Sequence, residues 1–193
     1  MSESPVEIAK IELREKAIRQ RSALGLGDRS EAAKAAADFF ISEINLPEGA
    51  VIAAYWPIRD EIDCKPILIH LMDSGRTVCL PVVEGDGAPL DFRVWEPGAS
   101  LFEAGFGTLA PASDAPRAVP DIVIMPLLGF DAAGTRLGYG RGYYDRTLAL
   151  MDKKPVLVGY AFAAQELENI PHEFHDVPLD YLVTEDGVRR FAI

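Results

Sequence analysis

A chain of 193 residues is slightly longer than one ordinary domain and well short of two. Its composition, 49% hydrophobic and 25% charged, suits a soluble globular fold, and a net charge of −11 excludes a general nucleic-acid-coating surface. Cys64 and Cys79 are too few for a disulfide framework, and neither a signal-peptide core nor a run of ~18 apolar residues is present. A cytoplasmic, reduced protein that engages neither membrane nor nucleic acid is expected.

Ser4-Pro5-Val6-Glu7 carries a cap residue, a first-turn proline and a glutamate three residues after the cap, predicting a helix to about Leu24. Asp28 and Glu31 repeat the start signal, and an alanine-rich helix should run to about Ile44. Residues 50–56 form a continuously apolar run suited to a buried strand. Asp63 can cap a helix to about Asp73, and Thr77–Leu80 reads as a strand ended by Pro81. Leu90–Trp95 is a third strand, residues 96–120 an excursion rich in Gly, Pro and Ala, and Asp121–Met125 another buried strand. A glycine-rich loop, a helix from about Gly142 to Met151, and strands at 156–160 and 181–183 follow. Met125, Phe130 and Phe162 are expected in the core. Strands alternating with helices imply one α/β domain over 1–193, a three-layer αβα sandwich on a mainly parallel, Rossmann-like sheet with helices on both faces. Ligands should then gather beyond the carboxyl ends of the strands.

The segment 126–146 leaves a buried strand and enters a helix, where free N–H groups and the helix dipole favour an anion. Glycines at 129, 134, 138, 140 and 142 let the backbone curl, and Arg136, Arg141 and Arg146 stand against Asp145 alone. Neither a Walker A loop nor a dinucleotide fingerprint is present, yet glycines, arginines and tyrosines together favour an anion site over a plain surface loop.

Pro126-x-x-Gly-Phe-Asp131-x-x-Gly134-x-Arg136-Leu-Gly138-x-Gly140-x-Gly142-Tyr143-Tyr144-Asp145 resembles the signature of the 5-formyltetrahydrofolate cyclo-ligase (5,10-methenyltetrahydrofolate synthetase) family. Lys10-x-x-Leu13-Arg14, Tyr55-Trp56-Pro57 through Asp60-Glu61-Ile62-Asp63, and His175-Asp176 with Leu179-Asp180 extend the resemblance over nearly the whole chain. It implies ATP- and Mg²⁺-dependent closure of 5-formyltetrahydrofolate to 5,10-methenyltetrahydrofolate, through an iminium phosphate, with release of ADP and phosphate. It implies further that Arg136 and Arg141 are catalytic cations. ATP would be held by Lys10, Arg14, Arg136, Leu137, Gly138, Tyr139, Gly140, Arg141, Gly142, Tyr143 and Tyr144, and the folate by Trp56, Glu61 and Tyr144. Asp145 and Asp176 would serve Mg²⁺, a cation that prefers carboxylate and phosphate oxygens. A monomer acting on small molecules is expected.

Other readings compete at particular residues. Lys10, Arg14 and Arg21 lie on one helical face, which without the family is a solvated stripe paired with Glu7, Glu12 and Glu15; Arg21 keeps that reading. His172, His175 and Asp176 could suggest a transition metal, though no further ligand group supports one. At the level of the chain, the alternatives are a paralogue with a non-folate substrate and a non-catalytic nucleotide-binding module.

Overall fold

The computed structural model describes residues 4–191. Helix α1 spans Pro5–Ser22, its start fixed by Ser4, whose Oγ accepts the Glu7 N–H at 3.1 Å. It ends two residues before the expected stop, because Gly25 serves instead as the cap of α2 (Leu26–Glu43). Strand β1 is only Val51–Ala53; the rest of the apolar run leaves the sheet for the cleft described below. Helix α3 (Lys65–Asp73) begins after Cys64, while Asp63 Oδ1 accepts the Lys65 N–H at 2.9 Å.

Strand β2 (Thr77–Val83) continues through Pro81, contrary to expectation, and pairs antiparallel with β3 (Leu90–Val94). The short β1 faces β2 only from Thr77 to Cys79, so the N–H that Pro81 lacks has no ladder partner to lose. Strands β4 (Ile122–Met125), β5 (Val156–Tyr160) and β6 (Tyr181–Thr184) are parallel to β1, and β7 (Gly187–Arg190), not foreseen, closes the far edge antiparallel to β6. The sheet order is β7-β6-β5-β4-β1-β2-β3. The excursion contains a small hairpin, Phe102–Glu103 with Leu109–Ala110, and the glycine-rich segment another, Gly129–Phe130 with Arg136–Leu137.

Alternate residues of the central strands face two cores. Ile52, Ile124, Val158, Tyr160 and Val183 pack with α2 and α3, whereas Ala53, Val123, Met125, Leu157 and Leu182 pack on the opposite face with Leu148 of α4 (Tyr143–Ala149). The sandwich is therefore α/β with helices on both faces, as expected, and Met125, Phe130 and Phe162 are each at most 1% exposed. Helix α1 belongs to neither layer. Its Ala17 packs on Leu128, Leu137, Leu167 and Ile170, which seats the helix over the loops beyond the strand ends. From β1 the chain proceeds to β2 on one side and later to β4 on the other, so strand order reverses between β1 and β4. Among the described residues no helix is long and apolar enough to cross a membrane.

Candidate active site

A cleft of about 950 Å³ opens at this reversal. One wall is the segment after β1, including Tyr55, Trp56, Arg59 and Glu61. Another is residues 136–146, a third comes from α1 through Glu7, Lys10 and Arg14, and residues 173–177 complete it. The structure thus brings every residue expected to hold ATP, folate or Mg²⁺, from Lys10 to Asp176, into one cavity.

The loop is shaped by what its glycines permit. Gly140 has φ +88°, and a Cβ there would lie 2.9 Å from Cζ of Arg14. Gly142, at φ +64°, caps α4 in the left-handed region. Asp131, 3% exposed, holds the preceding turn: Oδ1 accepts from Ala133 and Thr135 N–H, each at 3.0 Å, and Oδ2 accepts from Ile170 N–H at 3.1 Å. Leu137 is 1% exposed with its side chain in the cluster under α1, so it meets the cleft through its backbone.

The cations differ in setting. Arg136 is nine-tenths buried and pairs with Asp145, leaving a buried Nε without a partner. Asp145 also accepts the Val177 N–H at 3.3 Å. Lys10 donates to Asp176 at 2.5 Å, and Arg14 donates to Glu7 at 2.7 Å and to the Gly138 carbonyl at 3.1 Å. Helix α1 is thereby clasped to the glycine loop and to the 173–177 segment. Burial acts to raise the Asp176 pKa, but the hydrogen bonds from Lys10 and the Glu173 N–H outweigh it and hold the carboxyl below its usual range. Arg141 is half exposed, 3.4 Å from Asp86 and stacked 4.2 Å from the centre of the Phe106 ring, so it stands at the rim.

On the β1 wall, Trp56 meets Trp95 edge-on at 5.7 Å and carries the Lys65 ammonium 5.3 Å from its ring centre. Its other surroundings are both core and cleft. Glu61 accepts the Ile58 N–H at 2.9 Å and the Tyr139 hydroxyl at 2.9 Å. Burial pushes its carboxyl above the ordinary value despite those bonds and the nearby Arg21 and Arg59. Tyr144 and Tyr143 both line the cleft; burial raises the Tyr144 phenol.

Arg21 corrects the sequence reading. It is 2% exposed, paired with Asp60 at 2.6 Å and bonded to the Tyr139 hydroxyl at 3.0 Å. The signal was its shared helical face with Lys10 and Arg14, but nothing in the sequence said that this face is covered. Asp60 and Asp131 were likewise missed as structural anchors. The metal reading of His172, His175 and Asp176 gains nothing, since among the described residues no group of three or more His, Cys, Asp or Glu could hold a metal ion.

Sheet, switch-point cleft and arginine-bearing loop together define a doubly wound α/β protein with its ligand cleft at the strand reversal. The chain belongs to the 5-formyltetrahydrofolate cyclo-ligase family, whose model matches residues 6–185. It is similar to the 5-formyltetrahydrofolate cyclo-ligase of Haemophilus influenzae, 37% identical over 139 residues that cover 68% of this chain and 74% of that one. The Escherichia coli K12 protein of the same name is 35% identical over 143 residues, 71% of this chain and 79% of that one. Among solved structures, the 5,10-methenyltetrahydrofolate synthetase of Aquifex aeolicus superposes with a TM-score of 0.83 at 31% identity, covering 95% of this chain and 93% of that one.

Proposed function

We propose that this enzyme closes 5-formyltetrahydrofolate to 5,10-methenyltetrahydrofolate at the expense of ATP. The observation that carries the reading is the single cleft that joins a glycine- and arginine-built anion loop to a buried carboxylate beside an indole. A formamide oxygen leaves poorly. Transfer of the γ-phosphoryl group to that oxygen releases ADP and creates a good leaving group. N10 then attacks the formyl carbon, the C–O bond breaks, and phosphate and the N10 proton depart. This chemistry asks the protein for alignment and charge stabilisation rather than for a covalent nucleophile.

In this reading Arg136, nine-tenths buried beside Asp145, spreads the transferring charge through its guanidinium. Lys10, Arg14 and the backbone of 138–142 cradle the remaining phosphates, while Arg141 assists from the rim. Glu61 accepts hydrogen bonds from the amino and ring N–H edge of the pterin, and Trp56 and Tyr144 supply flat walls. Asp145 and Asp176, each already neutralised by a cationic side chain, do not make a resident metal site by themselves. Mg²⁺ would arrive on the nucleotide, where Asp145 and Asp176 would help to hold it and it would supply charge neutralisation to the phosphates. The buried free thiols of Cys64 and Cys79 suit a reducing compartment.

The direct test mixes protein, 5-formyltetrahydrofolate and Mg-ATP and follows methenyl absorbance. A rise that excess EDTA abolishes is expected. ATP binding without absorbance change would favour a paralogue with another substrate, and a rate indifferent to EDTA would remove the divalent ion. The cradle is tested separately by Gly140→Ala. A Cβ at φ +88° is strained and collides with Arg14, so KM for ATP should rise about tenfold with KM for the folate little changed. An unchanged KM for ATP would take residues 138–142 out of the nucleotide site.

A further inference from the structure

Four polar side chains run from beneath α1 to the cleft: Asp60, Arg21, Tyr139 and Glu61. The Arg21 guanidinium gives its Nε–H to Asp60 Oδ1 at 2.9 Å and an Nη2–H to the Tyr139 oxygen at 3.0 Å, with Nη1 3.4 Å from the Leu127 carbonyl. Ser22 Oγ donates to the other Asp60 oxygen at 2.6 Å. Tyr139 in turn lies 2.9 Å from Glu61 Oε1, and the Ile58 N–H reaches Glu61 Oε2 at 2.9 Å.

Donor counting fixes the direction of every bond in this row. A guanidinium can only donate and an ionised carboxylate can only accept. The phenol has one proton, and with Arg21 occupying a lone pair that proton must point at Glu61. Tyr139 belongs by sequence to the glycine loop, yet its hydroxyl is committed to the opposite ligand's carboxylate. Its main chain alone remains for the nucleotide.

We propose that Arg21 and Tyr139 are positioning residues for Glu61, a one-way hydrogen-bond relay that keeps this carboxylate charged and oriented toward the substrate. The proposal rests on the reading of Glu61 as the folate-recognising group. Neither relay member touches the reacting atoms. Asp60 anchors Arg21: burial acts to raise the Asp60 pKa, but Ser22 and Arg21 together bring it below its ordinary value. Around Glu61 the other charged or titratable groups are Arg59, which favours its ionised form, and Tyr55, Tyr144 and Cys64, all neutral phenols or thiol pushed upward by burial. Among these groups, Tyr139 is the side chain that hands Glu61 a hydrogen bond.

Tyr139→Phe removes one oxygen at nearly constant shape, and Arg21→Lys keeps a donor-only cation while losing the planar fork. Two measurements separate the relay from the folate reading. The first is a ¹³C titration of the Glu61 carboxyl in the ligand-free protein. Tyr139→Phe should move its midpoint up by about one pH unit, since losing a hydrogen bond to a charged group costs the charged form on that order. Arg21→Lys should move it by less in the same direction. A midpoint that stays put in Tyr139→Phe overturns the relay. The second is steady-state kinetics: KM for 5-formyltetrahydrofolate should rise about tenfold and the acid limb of kcat/KM should shift upward, with KM for ATP unchanged. A shifted carboxyl midpoint with unmoved folate KM would leave the relay standing and overturn Glu61 as the folate contact. Loss of kcat and both KM values together, with a lowered melting temperature, would make Tyr139 merely structural and overturn the proposal.

Discussion

Arg136→Ala should lower kcat by about a thousandfold while the protein keeps its fold, because a cation that acts on a transferring phosphoryl group typically contributes that much or more. Two observations together favour Arg136 over the rim cation Arg141. It is nine-tenths buried, whereas Arg141 is half exposed. A charge held away from water acts through a lower effective dielectric and is worth more to developing negative charge. Its orientation is fixed from two directions, by the hairpin that contains it and by Asp145 in the first turn of α4. Removing Arg136 also leaves Asp145 without its cation, although the Val177 N–H still reaches that carboxylate. A thermal melt must therefore accompany the kinetics. Arg136→Lys, which keeps charge but not the fork, should fall between wild type and alanine. The measurement is single-turnover methenyl formation at saturating ATP; a rate within tenfold of wild type would remove Arg136 from the chemistry.

How far the molecule was legible in its sequence depended on the range of the interaction involved. Helix starts and buried strands are local: Ser4 and Pro5 begin α1, and the apolar runs at 51–53, 122–125 and 156–160 are sheet. Parallel order followed from alternation, and with it the place of the cleft. Apart from helix ends and the Asp131 turn, the failures were matters of partners distant in sequence. Pro81 did not end β2, since a proline is tolerated where the neighbouring strand has already stopped. Strand β7 is a short polar segment whose pairing with β6 no period announces. Arg21 looked solvated because Asp60 and Tyr139, 39 and 118 residues away, were invisible to helical spacing. Conversely, Lys10 with Asp176 and Arg136 with Asp145 had been read as separate cation and metal groups, and the structure joins each into a pair. The family resemblance could place these residues at one site; only the fold shows which of them hold each other.

Glu61→Gln should raise KM for 5-formyltetrahydrofolate by about a hundredfold and leave KM for ATP within a factor of two. The side chain keeps its size, so the change isolates charge and donor pattern. A carboxylate accepts at both oxygens, whereas an amide must turn an NH₂ toward either the Tyr139 hydroxyl or the donor edge of the ligand. Tyr139 cannot turn its proton away without facing Arg21, itself a donor, and an NH₂ at the other position would face the Ile58 N–H, so one bond to this side chain is lost whichever way the amide lies. A hydrogen bond to a charged partner is worth about 1.5–3 kcal/mol, and the buried donor left behind adds to that cost, which together give the hundredfold. The pH dependence carries an independent sign. Burial lifts the Glu61 pKa above its ordinary value, so in wild type the accepting form is lost as pH falls through that raised pKa, and kcat/KM for the folate declines on the acid side. Glutamine does not titrate, so the variant should be uniformly weak with that acid limb gone. Equal losses for both ligands, or an acid limb unchanged from wild type, would show that Glu61 serves the cleft as a whole and not the pterin.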